Sequence, residues 1–79
     1  MAENPNNIAK IRKLRGLSQQ ALAERVGAHT ITISNLERGQ TPLTSEWTER
    51  LSEALHVQEA ALLKGDRALK VFVGAELSV

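Results

Sequence analysis

An uncharged run of short side chains occupies residues 30–35, where an exposed helix would ordinarily carry Glu and Lys. It contains Thr30, Ile31, Thr32, Ser34 and Asn35. Groups of this size suit the edges of DNA bases, because Asn pairs with adenine and a methyl group meets the thymine methyl. The alternative is a face in contact with water, but a helix so rich in Thr and Ile has low intrinsic helix propensity. We therefore favour contact with a DNA groove.

Two short helix patterns, each with start and stop signals, cover this region. Ser18 is a suitable N-cap for a helix over about 19–26, and Gly27 is a suitable left-handed residue to end it. A second helix is predicted over about 30–37, with Gly39 after its end. Two short helices joined by a glycine-containing turn have helix-turn-helix geometry, in which the second helix can enter the DNA major groove.

The spacing of apolar residues predicts which side of this second helix faces inward. Ile33 and Leu36 form the buried stripe. Ile31 and Asn35 then lie together on the opposite face, and Thr30 lies at the leading tip.

Three further helices are predicted around this pair. The first covers about 5–15, with Asn4 as its cap and Pro5 at its first position. The fourth begins at residues 44–45, and the fifth covers about 59–64. The apolar residues assigned to the inward faces of these helices are Ile8, Ile11, Trp47, Leu51, Ala54, Leu55, Leu62 and Leu63.

Composition restricts the class of protein. The chain has 79 residues and no Cys, which predicts one small domain without disulfides or thiolate metal sites. The N-terminus lacks a signal-peptide pattern and no apolar run approaches membrane-spanning length, so we expect a cytoplasmic protein with no membrane partner. Residues 1–40 carry six basic and three acidic side chains, a net charge of +3, which favours a polyanionic partner.

Three motifs resemble the phage-repressor and Cro type of helix-turn-helix, also called the xenobiotic-response-element type. They are "IRKLRGLSQQALAERVG", "TISNLERG" and "LSEALHV", in this order and at the expected separations. The resemblance spans about residues 8–63 and implies five helices, of which the second and third contact DNA. Three residues depart from the family pattern. His29 replaces a Ser or Thr, His56 replaces a Gly, and Gln58 replaces a Ser or Asp.

The resemblance, together with the helix spacing, assigns roles to individual residues. Thr30, Ile31 and Asn35 are expected to contact base edges. The residues expected to contact the DNA backbone are Lys10, Arg15, Gln19, His29, Thr32, Ser34, Arg38, Gln40 and Thr41. Gln19 is also expected to brace the recognition helix. Arg12 and Glu37 match positions where family members form an internal ion pair, so their expected role is structural.

The tail over 66–79 lies beyond the family match and alternates apolar with other side chains. Leu69, Val71 and Val73 begin the apolar series, which continues at every second position to Val79. This is strand periodicity, and a lone strand has unpaired backbone groups. We therefore predict that the tail pairs with its counterpart in a homodimer. A helical continuation and a disordered tail stay open.

The expected fold is all-α, a five-helix repressor-like domain over 1–65 with this candidate dimerisation strand after it. The function favoured is that of a sequence-specific transcription regulator of double-stranded DNA, a repressor acting as a homodimer on a palindromic operator. The alternative is an antitoxin that binds a toxin protein and represses its own promoter, which an adjacent toxin-like reading frame would favour. An enzyme is disfavoured because no acidic pair or Gly-rich phosphate loop is present. No cofactor, metal ion or small-molecule effector is expected.

Overall fold

Residues 5–63, which the computed structural model describes, form four α-helices and a short 3-10 helix. The bounds are α1 Ile8–Leu14, α2 Gln19–Val26, α3 Thr30–Glu37, α4 Ser45–Leu55, and Glu59–Leu62 for the 3-10 helix. No strand occurs in this part of the chain, where the all-α prediction therefore holds. The strand predicted around Leu69, Val71 and Val73 lies outside the described residues. None of these helices has the length and apolar character needed to cross a membrane.

Helices α2 and α3 occupy the ranges predicted for them, which are confirmed. The Ser18 hydroxyl accepts a hydrogen bond from the Ala21 N–H at 3.0 Å and so caps α2. Gly27 ends this helix with a φ of 71°, in the left-handed region that glycine adopts without strain. His29 is the N-cap of α3, but its side chain makes no capping hydrogen bond.

The predicted start of α1 is wrong. The helix begins at Ile8 with Asn7 as its N-cap, not at Pro5, while the proposed cap Asn4 lies outside the described residues. Compared with the predicted range of about 5–15, the helix begins three residues later and ends one residue earlier, at Leu14.

The two residues before α1 make long-range hydrogen bonds, and the Asn6 Oδ1 also accepts locally from the Ile8 N–H at 3.1 Å. Asn6 donates from Nδ2 to the Leu36 carbonyl at 2.8 Å. The backbone N–H of Asn7 donates to the Leu62 carbonyl at 3.0 Å, and its Nδ2 to the Ala61 carbonyl at 3.2 Å. Both asparagines are buried, so these bonds satisfy polar groups that water does not reach.

Helix α4 begins where the sequence predicts, but the last helix does not match its prediction. The Thr44 hydroxyl accepts from the Trp47 N–H at 3.4 Å and caps α4. The α-helix expected over 59–64 is instead the 3-10 helix, which ends at Leu62. The backbone turns extended at Leu63, so this side chain leaves the core and is 54% exposed.

The core lies where α2, α3 and α4 meet α1 and the 3-10 helix. Its buried apolar residues are Ile8, Ile11, Leu22, Ala23, Val26, Ile33, Leu36, Leu51, Leu55, Ala61 and Leu62. Trp47 and Ala54, both predicted to face inward, are partly buried against this cluster. Because α3 is anchored through Ile33 and Leu36, its other side is free to face outward.

Candidate nucleic-acid interface

The outer side of α3 is an exposed, uncharged surface. Thr30 and Ile31 are exposed, and Asn35 is half-buried beside them along the helix. Ile31 is 61% exposed, one of three large apolar side chains that are exposed among the described residues. Thr32 and Ser34 are half-buried at the edges of this face. The side chains proposed to meet base edges thus share one surface.

A hydrogen-bonded ion pair ties α3 to α1. Arg12 donates from Nε to Glu37 Oε2 at 2.6 Å and from Nη2 to Glu37 Oε1 at 3.3 Å. The two side chains are only 9% and 7% exposed. Arg12 also donates from Nη1 to the Leu17 carbonyl at 2.9 Å, so its guanidinium orders the turn before α2 as well. Bidentate contact with a carboxylate of this kind fixes orientation as well as distance.

Gln19 joins the same carboxylate from a third helix. Its Nε2 donates to Glu37 Oε1 at 2.9 Å, which links the start of α2 to the end of α3. The structure thus brings together Arg12, Gln19 and Glu37, and the amide of Gln19 contacts α3 directly. Gln19 is half-buried, and the phosphate contact predicted for it would involve the side chain that also binds Glu37.

The segment after α3 is also ordered by hydrogen bonds. Arg38 donates from Nη2 to Asn35 Oδ1 at 3.0 Å. The Asn35 carbonyl accepts from the N–H groups of Gln40 and Thr41 at 2.9 and 3.3 Å. Gly39 lies between Arg38 and Gln40 with a φ of 76°, and a Cβ added there would come within 3.0 Å of Pro5. The residues proposed to contact the DNA backbone at 38, 40 and 41 therefore lie immediately after α3 in the chain.

Arg15, which follows α1, contacts the end of α4. Its guanidinium donates to the Leu55 and His56 carbonyls, each at 2.9 Å, and so binds the carboxyl end of α4. His56 occupies the left-handed end position with a φ of 57°. Arg15 therefore has a structural role that the sequence did not reveal, because the two partners are 40 and 41 residues away in the chain.

The remaining predicted contacts, Lys10 and His29, are exposed side chains on different elements. Lys10 lies on α1 and His29 precedes α3. Among residues 5–63, no three His, Cys, Asp or Glu side chains cluster in a way that could hold a metal ion.

Two short helices, a glycine-containing turn and an uncharged outer face on the second helix define a helix-turn-helix domain. A family model described as Helix-turn-helix matches residues 8–62. This is more than half of the chain, which therefore belongs to that family, and the predicted resemblance to the phage-repressor and Cro type is confirmed. The family consists of DNA-binding transcription regulators and not of enzymes. No curated protein matches the chain.

Proposed function

We propose that this protein is a repressor that binds a palindromic operator as a homodimer and places α3 in the major groove. The observation that carries the proposal is the outward, uncharged face of α3, on which Thr30 and Ile31 are exposed and Asn35 is half-buried. The buried contacts of Ile33 and Leu36 support it, because a helix held on one side presents the other in a fixed orientation.

In this proposal, further side chains contact the DNA backbone. The residues proposed to bind phosphate or sugar are Lys10, Arg15, Gln19, His29, Thr32, Ser34, Arg38, Gln40 and Thr41. Contacts of this kind set the register of the protein on DNA but carry no direct sequence information. Arg15 stays among the proposed backbone contacts, and its guanidinium also binds the end of α4.

The proposal of a twofold-symmetric dimer rests on the small size of the DNA-contacting face of α3. One short helix contacts few base pairs, whereas two copies place their recognition helices in successive major grooves about 34 Å apart. The proposed operator is therefore an inverted repeat, and repression follows from occupying it.

Selection of bound sites from random duplex DNA tests the proposal. The expected product is an inverted repeat with half-site centres about one helical turn apart. Failure to enrich any sequence would contradict sequence-specific binding, and an enriched site without symmetry would contradict the homodimer.

A matched pair of variants tests whether α3 is the contact surface. Ile31 and Leu14 are both exposed apolar residues, at 61% and 63%, so replacing either by Glu adds the same charge without disturbing the core. Ile31→Glu is expected to abolish binding to the selected site, because it places a carboxylate among phosphates and base edges. Leu14→Glu on α1 is expected to weaken binding far less, because it adds its charge one turn from the proposed phosphate contact Lys10 and not on the recognition helix. Equal losses in the two variants would argue against α3 as the recognition helix.

A further inference from the structure

The guanidinium of Arg38 folds back over the last turn of α3. Its Nη2 donates to Asn35 Oδ1 at 3.0 Å and its Nε to the Ser34 carbonyl at 3.4 Å. Arg38 is exposed, whereas Asn35 is half-buried on the face proposed to meet the bases. A residue assigned to the DNA backbone is therefore in contact with a residue assigned to a base.

This contact determines which way the carboxamide of Asn35 faces. A guanidinium can only donate hydrogen bonds, whereas a carboxamide has one acceptor oxygen and one donor nitrogen. The oxygen of Asn35 must therefore face Arg38, and the nitrogen must point away from it. A second lone pair on the oxygen remains for another donor.

We propose that Arg38 is a positioning residue that holds the Asn35 carboxamide in the orientation needed to recognise a base edge. The inference rests on the proposed function, in which α3 enters the major groove. Recognition of adenine by Asn needs the amide nitrogen and oxygen placed together against one base edge. An amide already held in one orientation loses less conformational freedom on binding, so Arg38 increases the preference for the correct base.

The same guanidinium has more N–H donors than these two contacts use, so it can also bind a phosphate. The two roles have different consequences. Loss of a phosphate contact weakens binding to all sequences alike, whereas loss of a positioning contact weakens binding most where Asn35 meets its preferred base.

The test compares affinities for the selected operator and for operators altered at the base pair whose preference Asn35→Ala relaxes. Arg38→Met removes both donors and the charge from an exposed position. The ratio of affinities for preferred and altered operators is expected to fall at least about threefold, a fraction of what one bidentate contact contributes. Lys10→Met is the matched control, because it removes another exposed cation and should leave the ratio unchanged. In the Asn35→Ala background, Arg38→Met should not change the ratio further.

A measurement on the free protein tests the positioning directly. Three-bond couplings and side-chain amide resonances of Asn35, measured by NMR, are expected to show one dominant rotamer in the wild type and averaging in Arg38→Met. An unchanged affinity ratio in Arg38→Met overturns the inference and leaves the proposed function standing. Absence of any base preference in the wild-type protein overturns both.

Discussion

Glu37 links the recognition helix to both helices that precede it in the chain. Its carboxylate accepts from Arg12 on α1 and from Gln19 on α2, so three helices meet at one charged group. Both members of the ion pair are more than nine-tenths buried. A charge in such a place is favourable only while its partner is present.

Glu37→Ala is expected to destabilise the protein by about 3–5 kcal/mol, because it leaves the Arg12 guanidinium buried without its partner. Thermal or urea unfolding followed by circular dichroism measures the loss. The control is the double variant Arg12→Met with Glu37→Leu, which removes both charges and is expected to be more stable than Glu37→Ala. If Glu37→Ala unfolds like the wild type and loses only DNA affinity, the structural role of the pair is wrong.

At the scale of helices, several arginines stabilise helix ends. The last carbonyl groups of an α-helix have no partner within the helix, and cations near them also interact favourably with the helix dipole. Arg15 and Arg25 donate to carbonyls at the end of α4, and Arg50 donates to the Val26 carbonyl at the end of α2. The Arg50 guanidinium also lies 4.8 Å from the ring centre of Trp47. Part of the positive charge that suggested a polyanionic partner therefore serves the fold.

Arg15 and Lys10, both assigned to the DNA backbone from the sequence, are expected to differ when each is replaced by Met. Arg15→Met should lower stability by roughly 1 kcal/mol, because it removes hydrogen bonds to the end of α4. Lys10→Met should leave the melting temperature nearly unchanged and weaken DNA binding, with a smaller dependence on salt. Thermal unfolding and binding titrations on both variants check this. A stable Arg15→Met that binds DNA more weakly would contradict the structural assignment.

At the scale of the whole molecule, electrostatic binding to DNA should depend strongly on salt. A dimer that neutralises roughly six to ten phosphates releases a similar number of counterions, so affinity should fall about a thousandfold or more between low and moderate salt. Binding titrations at several salt concentrations give the slope directly. A flat response would argue against DNA as the partner.

The alternating tail predicts that dimerisation depends on residues beyond 65. Truncation after Gly65 keeps every residue of the core described above. Sedimentation is expected to show a weaker dimer, and affinity for the palindrome should fall far more than affinity for a single half-site. A truncated protein that is equally dimeric and binds the palindrome equally well would exclude the tail from dimerisation.

The sequence alone determined the helix pair and its two faces. Ser18, Gly27 and the spacing of Ile33 with Leu36 act within one or two helical turns, so their effect can be recognised from neighbouring residues. The motif that includes Arg12 and Glu37 also predicted their pairing by resemblance, and the structure places them in contact. These features are local or belong to a recurring family pattern.

Only the tertiary structure decided which distant carbonyl groups bind Asn6 before α1 and Arg15 after it. The Asn6 side chain accepts locally from the Ile8 N–H at 3.1 Å, but it also reaches the Leu36 carbonyl, 30 residues away, and Arg15 binds carbonyls 40 and 41 residues away. Such partners are separated along the chain and meet only when the core forms, so no local signal indicates them. The contact between Arg38 and Asn35 is close in sequence, yet it depends on side-chain rotamers that residue types alone do not specify.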